Sequence, residues 1–196
     1  MITLGITGSI AMGKSEAAKI FVKNDVPVFD SDACVHNLFF TNQKLKKQIG
    51  DVFPDAIEGN QINRAKLGSI VFGSKEKTKK LEALIHPLVR REQDQFLKEH
   101  AAAKTPLVVF DIPLLFETGA EQRLDKTLLI SAPKEIQKQR VLVRDGMSEE
   151  KFEAILSRQM PDEQKQKLAN YVISSANGKE AMQKDIESLI KQLSNN

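Results

Sequence analysis

Five short apolar runs stand out along the chain: Ile2–Thr7, Val26–Phe29, Leu107–Ile112, Thr127–Ile130 and Tyr171–Ser174. Each is bounded by polar or turn-forming residues. Most are rich in β-branched side chains, the pattern of strands buried on both faces of a parallel sheet. Between the runs, apolar positions recur at helical spacing. Lys14–Lys23 carries Ala17, Ala18, Phe21 and Val22 on one face, and Glu135–Arg144 carries Ile136, Val141 and Leu142. Lys179–Leu193 sets Met182, Ile186, Leu189, Ile190 and Leu193 near the helical period, as an amphipathic helix does. Alternating strand and helix predicts an α/β fold, a parallel β-sheet flanked by helices on both faces.

Two stretches depart from the alternation. From about Leu38 to Lys104 the pattern is helical and polar, with segments near Gln43–Ile49, Arg64–Val71, Lys75–His86 and Pro87–Lys98 and no strand. This predicts a helical insertion over about 38–103. The charged stretch Arg140–Lys167 also lacks strand character and predicts a helical lid over about 138–167. The core of this single domain is then about 1–37, 104–137 and 168–196. Ordinary surface helices with solvated charges are the alternative for both stretches.

The first strand runs directly into Gly8-Ser9-Ile10-Ala11-Met12-Gly13-Lys14-Ser15, a full match to G-x-x-x-x-G-K-[S/T], which then opens an amphipathic helix. The chemistry explains each fixed position. Gly8 lets the chain leave the strand where a Cβ would hinder it, and Gly13 lets the backbone approach a phosphate. The N–H groups of the loop form a concave nest, to which the following helix adds its positive N-terminal end. Lys14 reaches the outer phosphates, and the Ser15 hydroxyl suits Mg²⁺. The fold is therefore expected to be of the P-loop NTPase type. No Asn-Lys-x-Asp guanine-reading motif accompanies the loop, which argues against a GTPase.

Two acidic features follow. Val26-Pro27-Val28-Phe29-Asp30-Ser31-Asp32 ends a strand in two acids spaced two apart. Ligands of parallel α/β sheets sit beyond the carboxyl ends of the strands, so both acids are expected where an acceptor docks. A carboxylate there accepts the proton of a hydroxyl being phosphorylated, or holds Mg²⁺ through water. The alternative is that one of the two caps the next helix. Leu107-Val108-Val109-Phe110-Asp111 is an apolar strand ending in aspartate, the pattern of the strand whose acid organises the metal. Asp111 as a helix cap or structural acceptor remains open.

Composition narrows the picture. Of the 196 residues, 41% are hydrophobic and 28% charged, enough for a core and ordinary for a globular domain. The net charge of +3 fits a handler of polyanionic metabolites, and no Lys/Arg run marks a nucleic-acid tail. The single cysteine, Cys34, excludes an internal disulfide and agrees with a reducing compartment. It is either a reactive thiol or a half-buried small side chain. No segment approaches the length of an apolar membrane span. The N-terminus lacks the basic start and apolar run of a signal peptide.

The motifs together resemble the dephospho-CoA kinase family. Leu4–Ser15 is similar to its opening, usually T-G-G-I-G-S-G-K-S-T. Phe29-Asp30-Ser31-Asp32 resembles its D-A-D element, Leu84-Ile85-His86-Pro87-Leu88-Val89 its H-P-x-[IV] element, and Asp111-Ile112-Pro113-Leu114-Leu115-Phe116-Glu117 its D-[IV]-P-L-L-F-E segment. Arg140, then Arg144-Asp145, then Gln159 resemble its lid. The matches run in order from residue 2 to about 175.

The resemblance implies transfer of the γ-phosphoryl of ATP to the ribose 3′-hydroxyl of dephospho-CoA, with Mg²⁺. It implies Asp32 as general base beside Lys14 and Arg140 in catalysis. ATP would contact Gly8, Ser9, Ile10, Ala11, Met12, Gly13, Lys14, Ser15 and Glu16, with Arg140 and Arg144 closing over it; a solvated helical face is the alternative for both arginines. Asp30, Asp32, His86 and Leu114 would bind the acceptor, and the insertion would hold the CoA moiety. For His86, the alternative is a capping or packing imidazole before a proline at the first position of a helix. Ser15 and Asp111 would serve the metal. A cytoplasmic monomer or small homo-oligomer is expected, without nucleic acid or membrane as partner.

The chain departs from the family's pattern at Ser9, Ala11 and Met12, where glycine, glycine and serine are usual, and at Glu16, often threonine. The negative charge of Glu16 is expected to weaken nucleotide affinity. Ala169-Asn170-Tyr171-Val172-Ile173-Ser174-Ser175 replaces A-D-x-V-I-D-N, which alters the site expected to meet adenine. The competing readings are another small-metabolite kinase on the same scaffold and an ATP-gated interaction module; the acid pair argues against the module.

Overall fold

The computed structural model describes residues 1–194, so the last two residues of the expected 168–196 core segment lie outside the described residues. The chain divides into two units, Met1–Phe29 with Ala101 onward, and Asp30–His100.

The first unit is built on a five-stranded sheet in the order β2-β5-β1-β6-β7. The strands are β1 Ile2–Thr7, β2 Val28–Asp30, β5 Leu107–Asp111, β6 Lys126–Ser131 and β7 Tyr171–Ser174. β1 pairs in parallel with β5 (Leu4 opposite Val109) and with β6 (Ile6 opposite Leu128), and β6 pairs in parallel with β7. β2 joins at β5, where the Val109 N–H donates to the Pro27 carbonyl at 2.9 Å. The five apolar runs are thus all strands. β1, β5 and β6 are apolar because their residues are covered on both faces, whereas the edge strands β2 and β7 are only partly buried: Leu4, Ile6, Leu107, Val109, Leu128 and Ile130 share one core with residues of the flanking helices. α1 (Lys14–Lys23) contributes Ala17, Ile20 and Phe21, and α9 (Lys179–Ser194) contributes Met182, Ile186, Leu189 and Leu193. Full burial of a side chain such as Phe21 is worth about 1.5–3 kcal/mol. α6 (Lys134–Leu142), α7 (Glu149–Leu156) and α8 (Asp162–Leu168) complete this unit.

The second unit is mostly helical: α2 Ser31–Thr41, α3 Gln43–Val52, α4 Arg64–Val71 and α5 Lys75–Ala102, the last running past its boundary. It has its own core, including Leu38, Phe39, Leu45, Ile49, Leu67 and Ile85. Two expectations need correction here. The stretch is not free of strands: β3 (Ile57–Glu58) and β4 (Gln61–Ile62) pair antiparallel around Gly59, which takes φ 60°. Pro87 does not start a helix either. It lies inside α5, so His86 is mid-helix rather than at a helix start. An interior proline costs about 3 kcal/mol through its missing N–H and ring clash. Leu81, Leu84 and Ile85 before it and Leu88 and Val89 after it all pack into the same core, which outweighs that loss.

Cys34 is half-buried in this unit. Burial, reinforced by the negative charges of Glu92 and Asp30, pushes its thiol up to about 11. A thiol, not a thiolate, is therefore the species present at neutral pH. Iodoacetamide at pH 8 should modify the folded protein many times more slowly than the urea-unfolded chain. Because the folded chain holds this proton more tightly, the associated stabilisation is complete below pH 9 and lost as pH rises through about 11. Urea titrations across that range read it directly.

Candidate active site

The loop from Gly8 to Ser15 joins β1, in the middle of the sheet, to α1. Gly8 is needed for space. A Cβ there would stand 2.7 Å from the Ile130 carbonyl oxygen of the neighbouring strand. Gly13, the N-cap of α1, is needed for conformation, at φ 97° and ψ 8°. Ala11 has φ 62°, a left-handed conformation that costs a residue bearing a Cβ about 1–2 kcal/mol. This is the position where the family's pattern has glycine. Its methyl recovers part of the cost by packing with Val141 of α6 and Phe152 of α7.

The turns of the loop leave donors open. Among the described residues, no hydrogen bond engages the N–H of Ala11, Gly13, Lys14 or Ser15. Four unengaged amides at the N-terminus of a helix, with Gly13 left-handed, form an anion nest. The outward-facing groups of the loop are instead bonded to the rest of the unit. The Ile10 N–H donates to Gln159 Oε1 (3.1 Å), and Gln137 Nε2 donates to the Ile10 carbonyl (2.8 Å). Met12, in place of the family's serine, is 2% exposed, and its sulfur accepts from the Ala132 N–H. Ser175 Oγ donates to the Met12 carbonyl at 2.8 Å.

Lys14 forms an ion pair with Asp111, at the end of β5. Its ammonium is thereby held by a buried carboxylate beside the open amides. Ser15, the second residue of α1, is exposed. No cluster of three His, Cys, Asp or Glu side chains capable of holding a metal occurs among the described residues. That donor set still fits Mg²⁺, which takes hard oxygens and is usually held by one or two protein groups, with phosphates and water completing the octahedron. Ser15 and Asp111, the residues expected to serve the metal, carry oxygens of that kind.

Arg140 donates to Ser175 Oγ and to the Ser175 carbonyl, both at 2.7 Å, and Ser175 in turn bonds to the loop. Arg144 lies past the end of α6 and is exposed. Glu16 sits in the first turn of α1, 3.3 Å from the Lys179 ammonium and 3.9 Å from that of Lys19. Its charge is thus partly offset, which tempers the expected loss of nucleotide affinity. Leu114 follows β5 and is partly exposed. In the second unit, Asp30 caps α2 by accepting from the Ala33 N–H at 2.9 Å, and Asp32 is exposed in the first turn of that helix. His86 is exposed on α5.

Sequence reasoning missed Gln137, which is 3% exposed, and the part Ser175 plays as a support of the loop. It also missed a buried ion pair. Lys165 of α8 is fully buried, with its ammonium 2.8 Å from Glu117 Oε1 at an angle outside that of a hydrogen bond. The same oxygen accepts from the Met160 N–H at 2.8 Å. Glu117→Gln keeps that acceptor but leaves a buried cation without its counter-charge, a loss of about 3–5 kcal/mol. The melting temperature should fall by about 10 °C. Adding Lys165→Met should restore most of it, because the buried cation left without its counter-charge is then removed as well.

Comparisons with known proteins agree with this geometry. The dephospho-CoA kinase (CoaE) family model matches residues 2–181. A dephospho-CoA kinase of Mesorhizobium japonicum is 47% identical over 98% of this chain and 97% of its own. Among solved structures, TT1252 from Thermus thermophilus superposes with a TM-score of 0.85 at 36% identity, covering 98% of this chain and 97% of that one. A dephospho-CoA kinase from Campylobacter jejuni does so at 0.66 and 26% identity, covering 99% and 98%. Similarity of this extent, spanning the phosphate loop and everything that supports it, places the chain in the dephospho-CoA kinase family.

Proposed function

We propose that this protein transfers the γ-phosphoryl group of ATP to the ribose 3′-hydroxyl of dephospho-CoA, giving CoA and ADP. The observation that carries the reading is the row of open amides beside Lys14 in a chain of this family. A bond forms between the 3′-oxygen and the γ-phosphorus while the bond from that phosphorus to the β,γ-bridging oxygen breaks. The hydroxyl proton passes to a carboxylate, for which Asp32 is the candidate, with Asp30 fixing the start of the same helix. Lys14 and the loop amides hold the phosphates and stabilise the charge that spreads over the transferred group. Ser15 and Asp111 are the residues that would hold Mg²⁺, which when bound would supply positive charge against the phosphates.

The stretch 38–103 is the candidate holder of the CoA moiety, with His86 and Leu114 as acceptor contacts, and 138–167 is the candidate lid, with Arg140 and Arg144 approaching ATP. No helix among the described residues is long and apolar enough to cross a membrane. ADP release by purified protein with Mg-ATP, compared across dephospho-CoA, AMP, CMP and no acceptor, tests the reading. Stimulation by dephospho-CoA alone is expected, and stimulation by a nucleoside monophosphate instead would overturn the acceptor assignment.

A further inference from the structure

The two peptide groups that flank the Ile10 Cα are each gripped by a glutamine more than a hundred residues away. The Ile10 N–H donates to Gln159, just beyond α7, and the Ile10 carbonyl accepts from Gln137, in α6. The residue that follows, Ala11, is the left-handed one, and its N–H is among the open amides. We propose that Gln137 and Gln159 are positioning residues that clamp the backbone on either side of the Ile10 Cα and so set the shape of the phosphate loop before nucleotide arrives. The proposal rests on the reading of that loop as the ATP-phosphate site.

Three features make the clamp more than incidental contact. Both ends are rigidly held. Gln137 is 3% exposed within α6, and the residue after Gln159, Met160, is bonded through its N–H to Glu117, which is paired with the fully buried Lys165. The orientation of each amide is forced by chemistry, since an N–H can meet only an oxygen and a carbonyl only an N–H₂ group. Finally, the clamp adds to the Ser9–Met12 turn and the packing of the Ala11 methyl in holding Ala11 in its unfavourable conformation. A glycine there would adopt it freely, whereas this chain carries an alanine whose φ is imposed by its neighbours. A loop prearranged in this way does not have to order its amides when phosphate binds, so the clamp acts on ATP affinity more than on the chemical step.

The two glutamines do opposite jobs, and the same substitution separates them. Glutamate keeps an acceptor but has no donor. At Gln159 it can still accept from the Ile10 N–H, whereas at Gln137 it turns a carboxylate oxygen toward a carbonyl oxygen. Both side chains line a cavity of about 810 Å³, which leaves room for the replacements. Amide hydrogen exchange of residues 8–13 in the nucleotide-free protein is the first readout. Gln137→Glu and Gln159→Leu should speed exchange of the Ile10 segment about tenfold, and Gln159→Glu should leave it near wild type. The second readout is kinetic. Gln137→Glu and Gln159→Leu should raise KM for ATP about tenfold with kcat at saturating ATP within about threefold and KM for the acceptor unchanged.

Glutamate and leucine at 159 behaving alike in exchange, or a fall in melting temperature with KM for ATP unchanged, would reduce the glutamines to ordinary structural residues. Exchange and direct ATP binding do not depend on the acceptor. A chain that proved inactive on dephospho-CoA would therefore still report on the clamp.

Discussion

Lys14→Ala is expected to lower kcat by about 10³-fold, the scale on which removal of a preorganised charge at a transferring group acts. Lys14 is the one side chain of the loop whose charge is held in place by a second charge, Asp111 at the end of β5. Both side chains are largely shielded, with 16% and 6% exposed, so the pair acts in a medium less polar than water and its charge is felt strongly nearby. The substitution also removes a cation from buried Asp111, so a lower melting temperature is expected beside the catalytic loss. The two effects separate in a nucleotide-binding measurement on protein shown to be folded by circular dichroism. Turnover should be almost gone while the fold persists at 25 °C. Turnover within tenfold of wild type would mean that Lys14 does not carry the charge of the transferred group. Lys14→Arg should recover only a small part, since a flat, bulky fork replaces a compact ammonium.

Asp32→Asn is expected to lower kcat by about 10²–10⁴-fold while ATP affinity stays within about twofold. The informative control is the same change two residues earlier. Asp30 caps α2 through its Oδ1, and asparagine caps about as well as aspartate, so Asp30→Asn should fold and melt like wild type. Asp30→Ala should cost about 1 kcal/mol of stability through the lost cap. If Asp32 is the base, the 32 variant loses the chemical step and the 30 variant mostly keeps it. The reverse result would hand the proton to Asp30 and make Asp32 a helix-start residue. kcat against pH gives a second view: the acidic limb that a carboxylate base imposes should vanish in Asp32→Asn and persist in Asp30→Asn.

Much of this was legible in the chain itself, for identifiable reasons. β1, β5 and β6 are read directly because strands covered on both faces must be continuously apolar. The phosphate loop is read directly because its chemistry fixes residue types at fixed spacing. α5 was read as two segments because Pro87 is a local signal, whereas the apolar surface that carries the helix through it, Leu81 to Val89, is a tertiary one. The β3–β4 hairpin escaped because its strands are two residues each. The signal was nevertheless present in Ile57-Glu58-Gly59-Asn60-Gln61-Ile62, a Gly-Asn pair between isoleucines. Gln137, Ser175 and Lys165 were illegible for a different reason. Each is a lone polar residue whose partner lies 127, 163 or 48 positions away, respectively at Ile10, Met12 and Glu117, and no local pattern reports such a pairing. Ala11 is an intermediate case. The glycine missing from the family's pattern was visible, but that the backbone there keeps a positive φ was not.

The most direct test of the central claim is to follow γ-labelled ATP with purified protein and dephospho-CoA and to locate the label in the product. The account predicts label in CoA, at the ribose 3′-position and removable by a 3′-specific phosphatase, with one ADP formed per label transferred. Label released as inorganic phosphate whether or not dephospho-CoA is present, or carried on another hydroxyl of the acceptor, would contradict it.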